Sequence, residues 1–275
     1  YGVDIHFITG GTLTNLTFLS HALRPYEAVI SADTGHINTH ETGAIEASGH
    51  KVLSIPCTDG KLTADLIRPV LKQHENEHWV EPRLVYISLP TELGTVYIDG
   101  ARLAMALAVE ETQLTLKDLP DLCDAFYIGG TKNGAMFGEA LILVNDDLKD
   151  HFRFNMKQRG AILAKGWMIG VQFEELFQDN LYLELGKRSV ALAQRLKEGF
   201  IDCKIPFLCD SPTNQLFPIF PNEFAKKINE NYVTTFQCKP DENHTCLRFC
   251  TSWATNEQAV EDFIKDLKQW SYIYA

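Results

Sequence analysis

Four short segments of this sequence combine residue types that could perform chemistry. The first, TGGTLTN at residues 9–15, lies between a predicted strand and a predicted helix. Its glycines let backbone N–H groups approach an anion, its threonines add hydroxyl donors, and the helix start supplies partial positive charge. The segment predicts a phosphate-binding turn around Gly11 and Thr12, although glycine is also common in an ordinary strand–helix turn. It matches neither GxxxxGKS/T nor GxGxxG, which argues against an NTPase and a Rossmann dinucleotide site.

The second and third segments place charged side chains directly after predicted strands. Asp99 and Arg102 follow the β-branched run at 96–99. Ligands of α/β sheets collect at the carboxyl ends of strands, so both residues are placed to bind one; the alternative is a helix cap followed by a solvated arginine. Lys132 follows another strand within IGGTKNG at 128–134. Partial burial there would make its amine nucleophilic, and the alternative is a lysine in a surface loop.

The fourth segment, HINTHE at residues 36–41, contains two histidines. His36 and His40 are spaced to share one face of a helix, which raises the possibility of a zinc site. The spacing is neither HExxH nor HxxEH, and a third ligand such as His50 or Asp33 would have to come from elsewhere. A single histidine acting as an aromatic platform or as an acid or base is the alternative, as is simple packing.

The elements that must position these segments alternate between strand and helix along the first two thirds of the chain. This alternation predicts an α/β fold with a mostly parallel central sheet. The last third begins with an amphipathic helix at 183–200 and ends with a helix for which Thr255 and Gln258 predict a capping box. We expect a large α/β domain over residues 1–180 and a small C-terminal α+β domain over 181–275.

One junction does not fit a parallel sheet. The predicted strands at 84–88 and 96–99 look like parallel neighbours, yet only residues 89–95 separate them. A parallel crossover usually needs about a dozen residues or more. Either the two strands form an antiparallel hairpin, or a segment is missing from the sequence near residues 97–98. The start near residues 3–4 is similarly abrupt.

Composition excludes several classes of partner. The chain has 275 residues and a net charge of −11, and we find no basic stripe of the kind that binds nucleic acid. The longest apolar run, at 101–109, is shorter than the ~18 residues of a membrane span. The seven cysteines are odd in number and contain no CxxC pair, so they predict reduced thiols and a cytoplasmic protein.

The order of the four segments is more informative than any one of them. An anion-binding turn, a histidine, an aspartate at a strand end and a lysine in a loop follow one another as they do in pyridoxal phosphate enzymes of the aspartate aminotransferase-like fold, known as fold type I. That cofactor needs its phosphate neutralised, its ring stacked, its pyridine nitrogen kept protonated and its aldehyde captured by an amine. The order therefore predicts pyridoxal 5'-phosphate as the cofactor.

The sequence resembles the threonine aldolase family within the β-eliminating lyase group. Residues 10–15 resemble the family's SGTxxN phosphate motif, residues 36–44 its H-x4-E-x-G-G/A block, residues 99–103 its DGARL signature and residues 131–132 its cofactor lysine. QRGAILA at 158–164 and LRFCTS at 247–252 also correspond, so the match spans nearly the whole chain. Two departures stand out: Glu92 replaces a histidine of many members, and the family has a helix between the segments that end at Tyr97 and begin at Ile98.

The resemblance implies a lyase that splits a β-hydroxy-α-amino acid, such as threonine or allo-threonine, into glycine and an aldehyde. It implies that Lys132 bonds covalently to the cofactor aldehyde and that Asp99 pairs with the pyridine nitrogen. Gly11 and Thr12 would hold the phosphate, and His36 would stack on the ring.

The remaining roles implied by the resemblance concern the substrate and the assembly. His36 could accept the β-hydroxyl proton, with Glu92 as the other candidate base. Arg102 and Arg248 would bind the substrate carboxylate, a task suited to guanidinium groups. Family members are dimers or tetramers, so we expect a homodimer or homotetramer that takes a small amino-acid substrate.

Three alternatives remain open at this point. Within the same fold, a β-eliminating lyase could act on cysteine, serine or an aromatic amino acid. A zinc hydrolase could be built on His36 and His40. A binding module without catalysis is the third, and the presence of both Lys132 and Asp99 argues against it.

Overall fold

The computed structural model describes residues 2–57, 60–87 and 95–274 of the chain. Glu92, the second candidate base, lies outside these residues. The strands are β1 (Asp4–Ile8), β2 (Glu27–Ala32), β3 (Lys51–Ile55), β4 (Glu81–Ile87), β5 (Thr95–Ile98), β6 (Ala125–Gly129), β7 (Glu139–Leu143), β8 (Gln215–Leu216), β9 (Ile219–Pro221), β10 (Thr235–Cys238) and β11 (His244–Cys250). The helices are α1 (Gly11–Ala22), α2 (His36–Thr39), α3 (Ala44–Ala47), α4 (Ala64–Gln73), α5 (Leu103–Leu107), α6 (Leu119–Leu122), α7 (Phe152–Gln158), α8 (Trp167–Phe177), α9 (Leu181–Asp202), α10 (Asn222–Asn231) and α11 (Glu257–Tyr274). The predicted alternation of strands and helices is therefore confirmed.

A seven-stranded sheet with the order β1-β7-β6-β5-β4-β2-β3 forms the centre of the first part of the chain. The strands from β3 to β6 in this order pair in parallel, whereas β7 is antiparallel to both β6 and β1. The strands β1, β2, β5 and β6 therefore all end at the same edge of the sheet. The four predicted chemical segments follow these strands, so the topology delivers them to one edge.

The register of β4 and β5 corrects one expectation about the awkward junction. Leu84 pairs with Thr95 and Ile87 pairs with Ile98 in parallel, so the antiparallel hairpin is wrong. Side chains of these strands are buried on both faces, as is typical of a parallel sheet covered by helices. The predicted missing segment stays a prediction.

The chain divides into two compact units, residues 1–103 with 114–178 and residues 104–113 with 179–275. In the first unit, α1 packs its buried face, including Phe18 and Leu19, into a core that also contains Tyr97 and Tyr127 of the sheet. The long helix α9 belongs to the second unit. No helix of the described residues is sufficiently long and apolar to cross a membrane.

The second unit is built around a cluster of aromatic rings. Phe200 near the end of α9 is fully buried, and four phenylalanine rings lie with centroids 5.1–5.9 Å from its own: Phe207, Phe220, Phe249 and Phe263. Strand β11 is the centre of the small antiparallel sheet, pairing with β8, β9 and β10. The core is therefore shared between α9, α11 and this sheet.

The cap of the last helix differs from the sequence prediction. Asn256 Oδ1 accepts the backbone N–H of Gln258 at 2.8 Å, whereas the hydroxyl of Thr255 accepts the N–H of Ser252. The capping box of Thr255 and Gln258 is thus wrong. Asn256 satisfies the first turn because asparagine is as good an N-cap as threonine or better.

Candidate active site

The turn after β1 leaves the start of α1 open. Gly10 precedes the helix without a side-chain cap, and the first turn contains no acidic residue. Thr12 is exposed. Within the described residues, backbone N–H groups at this helix start are therefore not covered by a protein carboxylate, which is the arrangement that binds a phosphate.

Asp99 follows β5 and accepts hydrogen bonds on both carboxylate oxygens. Its Oδ1 accepts the hydroxyl of Tyr127 and, at 3.0 Å, the N–H of Ala101. Its Oδ2 accepts the hydroxyl of Tyr86 and, at 3.2 Å, Nδ2 of Asn15. A carboxylate with donors on both oxygens is fixed in orientation, so the position of Asp99 at the end of β5 is well defined.

The phenols beside Asp99 remain protonated. Burial, followed by the negative charge of Asp99, raises the pKa of the Tyr86 hydroxyl well above its ordinary value and likewise raises that of Tyr127. The same two causes raise the pKa of Tyr97, which is fully buried. All three residues therefore act as hydrogen-bond donors at physiological pH.

Asn15 connects Asp99 to the histidine segment. Its side chain is fully buried, and Nδ2 also donates to Glu41 Oε1 at 2.7 Å, while Oδ1 accepts the hydroxyl of Tyr97 at 2.9 Å. Glu41 Oε1 in turn contacts His36 Nδ1 at 2.8 Å. One amide on α1 thus links the carboxylate after β5 to the imidazole after β2.

The contact with Glu41 determines which nitrogen of His36 carries a proton. An ionised carboxylate can only accept, so Nδ1 must be the donor in this pair. The side chain of His36 is 38% exposed, whereas that of Glu41 is fully buried. In the neutral ring, Nε2 is then the nitrogen that can accept a proton, as a base requires.

The helical backbone is broken shortly after His36 and His40. Thr42 and Gly43 have positive φ values of 53° and 69°, which separate the short helices α2 and α3. The rings of His36 and His40 are stacked, with centroids 5.3 Å apart. The break turns Glu41 inward toward His36, which a continuous helix would not do.

Within the described residues, the group of metal-ligand side chains that comes together is His36, Glu41 and Asp99, with one atom of each within 4.8 Å of the others. His40 does not belong to it, and Asp33 Oδ1 accepts the N–H groups of Thr34 and Cys57 instead. Glu41 and Asp99 already accept hydrogen bonds from neutral donors. This arrangement favours a hydrogen-bonded network over the zinc site considered from the sequence.

The loop of Lys132 is packed directly against the backbone that follows Asp99. Gly129 N–H donates to Gly100 O at 3.0 Å, and a Cβ atom on Gly100 would lie 1.7 Å from Tyr127 O. The two segments therefore approach as closely as backbone atoms allow. Lys132 itself is exposed, which of the two alternatives considered from the sequence matches a lysine in a surface loop rather than a partly buried one.

The remaining predicted residues differ in how directly they relate to this network. Arg102 is half-buried in the turn after Asp99. Arg248 lies on β11 of the second unit, opposite Thr235, and its Nε atom is buried without a hydrogen-bond partner in the described parts of the chain. Its role as a substrate ligand stays a prediction.

Sequence reasoning missed several residues of the network. Asn15 was part of the phosphate motif but had no role of its own, and Glu41 was only part of a resembling block. Tyr86 and Tyr127 lie inside buried strands, where an aromatic residue is ordinarily a core residue. The useful signal would have been strand register, which places both tyrosines beside the residue after β5.

Comparison with known proteins identifies close relatives. The family model described as beta-eliminating lyase matches residues 3–98. The solved structure of a threonine aldolase from Leishmania major superposes with a TM-score of 0.94 and is 46% identical, covering 98% of this chain and 85% of that one. A low specificity L-threonine aldolase from Pseudomonas aeruginosa is 28% identical over 297 residues, covering 96% of this chain and 82% of the relative.

A more distant solved structure shares the fold alone. It is an aminotransferase from Staphylococcus aureus that is 10% identical and superposes with a TM-score of 0.65, covering 98% of this chain and 78% of that one. The predicted aspartate aminotransferase-like fold is confirmed.

Proposed function

Because this chain belongs to the threonine aldolase family, we propose that it cleaves the Cα–Cβ bond of a β-hydroxy-α-amino acid such as threonine, giving glycine and an aldehyde. It is a carbon–carbon lyase that depends on pyridoxal 5'-phosphate. The observation that carries this proposal is the buried network through which Asn15 joins Asp99 to Glu41 and His36 at the edge where β1, β2, β5 and β6 end.

The residues at this edge fit the cofactor. The open start of α1 around Gly11 and Thr12 suits a phosphate, Asp99 suits a protonated ring nitrogen, and the amine of Lys132 suits the aldehyde. Pyridoxal 5'-phosphate, when bound, supplies an electron sink for the electron pair released as the Cα–Cβ bond breaks. With the cofactor bound, the carboxylate of Asp99 would hold a proton on the ring nitrogen, which would make that sink effective.

His36 is the base that we propose for the β-hydroxyl proton. Its Nδ1 is occupied by Glu41, so Nε2 is the atom that accepts the proton as the aldehyde forms. Glu41 then stabilises the resulting imidazolium. Glu92 remains the other candidate base by resemblance.

Arginine side chains are proposed to bind the substrate carboxylate. Arg102 follows Asp99 in the same turn, and the buried Nε of Arg248 has a hydrogen-bond donor that no described residue accepts. A guanidinium group can bind a carboxylate through two parallel hydrogen bonds, which fixes the amino acid in one orientation.

The test of this function is a pair of assays on the purified protein. We expect threonine to yield glycine and acetaldehyde, and we expect Lys132→Ala to lose the absorbance of the lysine-linked cofactor near ~420 nm. Lys72→Ala, at an exposed position of α4, is the matched control and should retain the absorbance. An unchanged absorbance in Lys132→Ala would refute the assignment of this lysine.

A β-eliminating lyase is the second candidate, because the family model that matches residues 3–98 carries that description. Such an enzyme would release pyruvate and ammonia from serine or cysteine. Measuring both product pairs on the same preparation separates the two activities. Pyruvate without glycine would replace the aldolase proposal.

The proposed partner is a second copy of the chain, as a homodimer or homotetramer. Exposed apolar side chains on α8 support this: Trp167 is 66% and Val171 53% exposed, and Ile5 on β1 lines a shallow cavity together with Trp167. Sedimentation should show an oligomer that Trp167→Asp weakens and that Phe236→Asp, in the second unit, leaves intact. We also propose a cytoplasmic location, which the odd number of cysteines and the absence of a CxxC pair in the sequence support.

A further inference from the structure

Glu139 is a buried carboxylate that the proposed reaction does not use. It is the first residue of β7 and is 5% exposed. In the sheet it pairs with Ile8 at the end of β1 on one side and with Gly129 at the end of β6 on the other. It therefore lies between the strand that leads to the phosphate-binding turn and the strand that leads to Lys132.

Within the described residues, Glu139 accepts hydrogen bonds from the turn that carries the lysine. Gly130 N–H donates to Oε2 at 2.8 Å, and the hydroxyl and backbone N–H of Thr131 also hydrogen-bond to the carboxylate. The Thr131 hydroxyl in turn accepts the N–H of Gly138 at 3.1 Å. The two residues immediately before Lys132 are thus bound to one side chain.

The same turn is closed tightly around Gly130. Its carbonyl accepts the N–H groups of Asn133 at 2.9 Å and Ala135 at 3.1 Å. A Cβ atom on Gly130 would lie 2.6 Å from Gly138 O, so the backbone rests directly on the start of β7. Two residues therefore define the conformation of the lysine turn. Gly130, which has no Cβ, allows the backbone to come close to Gly138, and the carboxylate of Glu139 hydrogen-bonds to the turn.

Burial of the Glu139 carboxylate has a desolvation cost, which neighbouring hydrogen bonds and a positive charge partly offset. Burial raises the pKa of Glu139, whereas the hydrogen bonds from Thr131 and Gly130 and the positive charge of Lys132 act in the opposite direction. A neutral side chain of similar size would avoid the desolvation cost. An acidic residue at this position therefore needs a reason beyond packing.

We propose that Glu139 is a positioning residue for Lys132: its carboxylate holds Gly130 and Thr131 so that the lysine amine is presented to the cofactor aldehyde. This inference rests on the proposed function, because it assumes that Lys132 is the residue that bonds to the cofactor. Glu139 affects how readily the amine reaches the aldehyde and leaves phosphate and ring binding unchanged.

The test compares Glu139→Gln with Glu27→Gln in the full-length chain. Glu27 is a matched control because it is also a buried glutamate at the start of a strand, is 7% exposed and accepts a backbone N–H, that of Arg24 at 2.7 Å. It begins β2 and so lies at the opposite edge of the sheet. Each protein is freed of cofactor and mixed with pyridoxal 5'-phosphate or with pyridoxine 5'-phosphate, which has an alcohol in place of the aldehyde.

We expect Glu139→Gln to slow covalent attachment of pyridoxal 5'-phosphate by about tenfold, since a charge-assisted hydrogen bond is replaced by weaker neutral ones. Attachment is followed by absorbance and by the mass of the Lys132 peptide after borohydride reduction. Affinity for pyridoxine 5'-phosphate should remain within about twofold of the original chain, because it reports phosphate and ring binding alone. Glu27→Gln should match the original chain in both measurements.

Thr131→Val and Thr131→Ser provide a second pair if Glu139→Gln does not fold. The valine removes the hydroxyl between Glu139 and Gly138 and should slow attachment, whereas the serine restores the hydroxyl and the rate. Unchanged attachment in Glu139→Gln, or an equal loss of pyridoxine 5'-phosphate affinity, overturns the inference. Failure of the original chain to attach the cofactor at Lys132 would instead refute the proposed function.

Discussion

Asn15 is the residue whose replacement tests the central network most directly. Asn15→Ala removes one hydrogen bond at 2.7 Å to the buried carboxylate of Glu41 and one at 3.2 Å to the half-buried carboxylate of Asp99, and it leaves the hydroxyl of Tyr97 without its acceptor. A hydrogen bond to a charged group contributes about 1.5–3 kcal/mol, and a buried hydroxyl left unsatisfied costs about 1–3 kcal/mol. The longer contact to Asp99 belongs at the lower end of its range.

We therefore expect Asn15→Ala to lower the free energy of unfolding by about 4–7 kcal/mol, a large part of the ~5–15 kcal/mol typical of a native protein. The assay is urea unfolding of the cofactor-free chain. Asn231→Ala is the control, because the Asn231 side chain is exposed and bonds only to Lys227 O. Its effect should stay within about 0.5 kcal/mol.

A double-mutant cycle with Tyr97→Phe separates the network from simple loss of packing. Because Tyr97 donates to Asn15, its substitution should cost much less in the Asn15→Ala background, with a coupling energy of about 1 kcal/mol or more. Additive effects would refute the network, as would a loss below about 1 kcal/mol for Asn15→Ala alone.

Three further predictions concern other parts of the chain. Gly100→Ala should destabilise the protein by about 3 kcal/mol or more, since its Cβ would lie 1.7 Å from Tyr127 O; an unchanged urea midpoint would contradict this. Burial lowers the pKa of His6 and of His21 from 6.5, so the unfolded chain binds more protons than the folded chain below that pH. The free energy of unfolding should accordingly fall as the pH drops from about 7 to 5, and a pH-independent urea midpoint would count against neutral buried histidines. Phe200→Ala should cost about 3–5 kcal/mol by opening a cavity among four neighbouring rings, measured by thermal unfolding, and a shift in Tm below about 2 °C would be inconsistent with that packing.

The sequence predicted the residues that lie at strand ends better than those that support them. Asp99 and Lys132 were singled out because charged residues after β-branched runs are conspicuous and because the topology of parallel strands brings such positions to one edge. Gly11 and Thr12 were singled out because paired glycines between a strand and a helix are typical of an anion site, and their role as phosphate ligands stays a prediction.

The supporting residues depend on contacts that no local pattern encodes. Asn15 lies inside a helix, Tyr86 inside a strand, and Glu139 beside Gly129 only because β7 pairs with β6 in one register. The inward turn of Glu41 requires the positive φ values of Thr42 and Gly43, which helical periodicity does not predict. Tertiary pairing and backbone conformation, rather than residue type, determine these positions.

The pairing of β1 with β7 has a consequence for the order in which the molecule acquires its structure. Asp4 is paired across the sheet with Leu143, so β1, which is synthesised well before β7, has no partner strand among the described residues until β7 has left the ribosome. The loop that must close between them is long, which makes this pairing a late event in folding. In a nascent chain interrupted before β7, the strand that precedes α1 would be unpaired, and translational pausing upstream of residue 139 would prolong the exposure of that unpaired edge to aggregation.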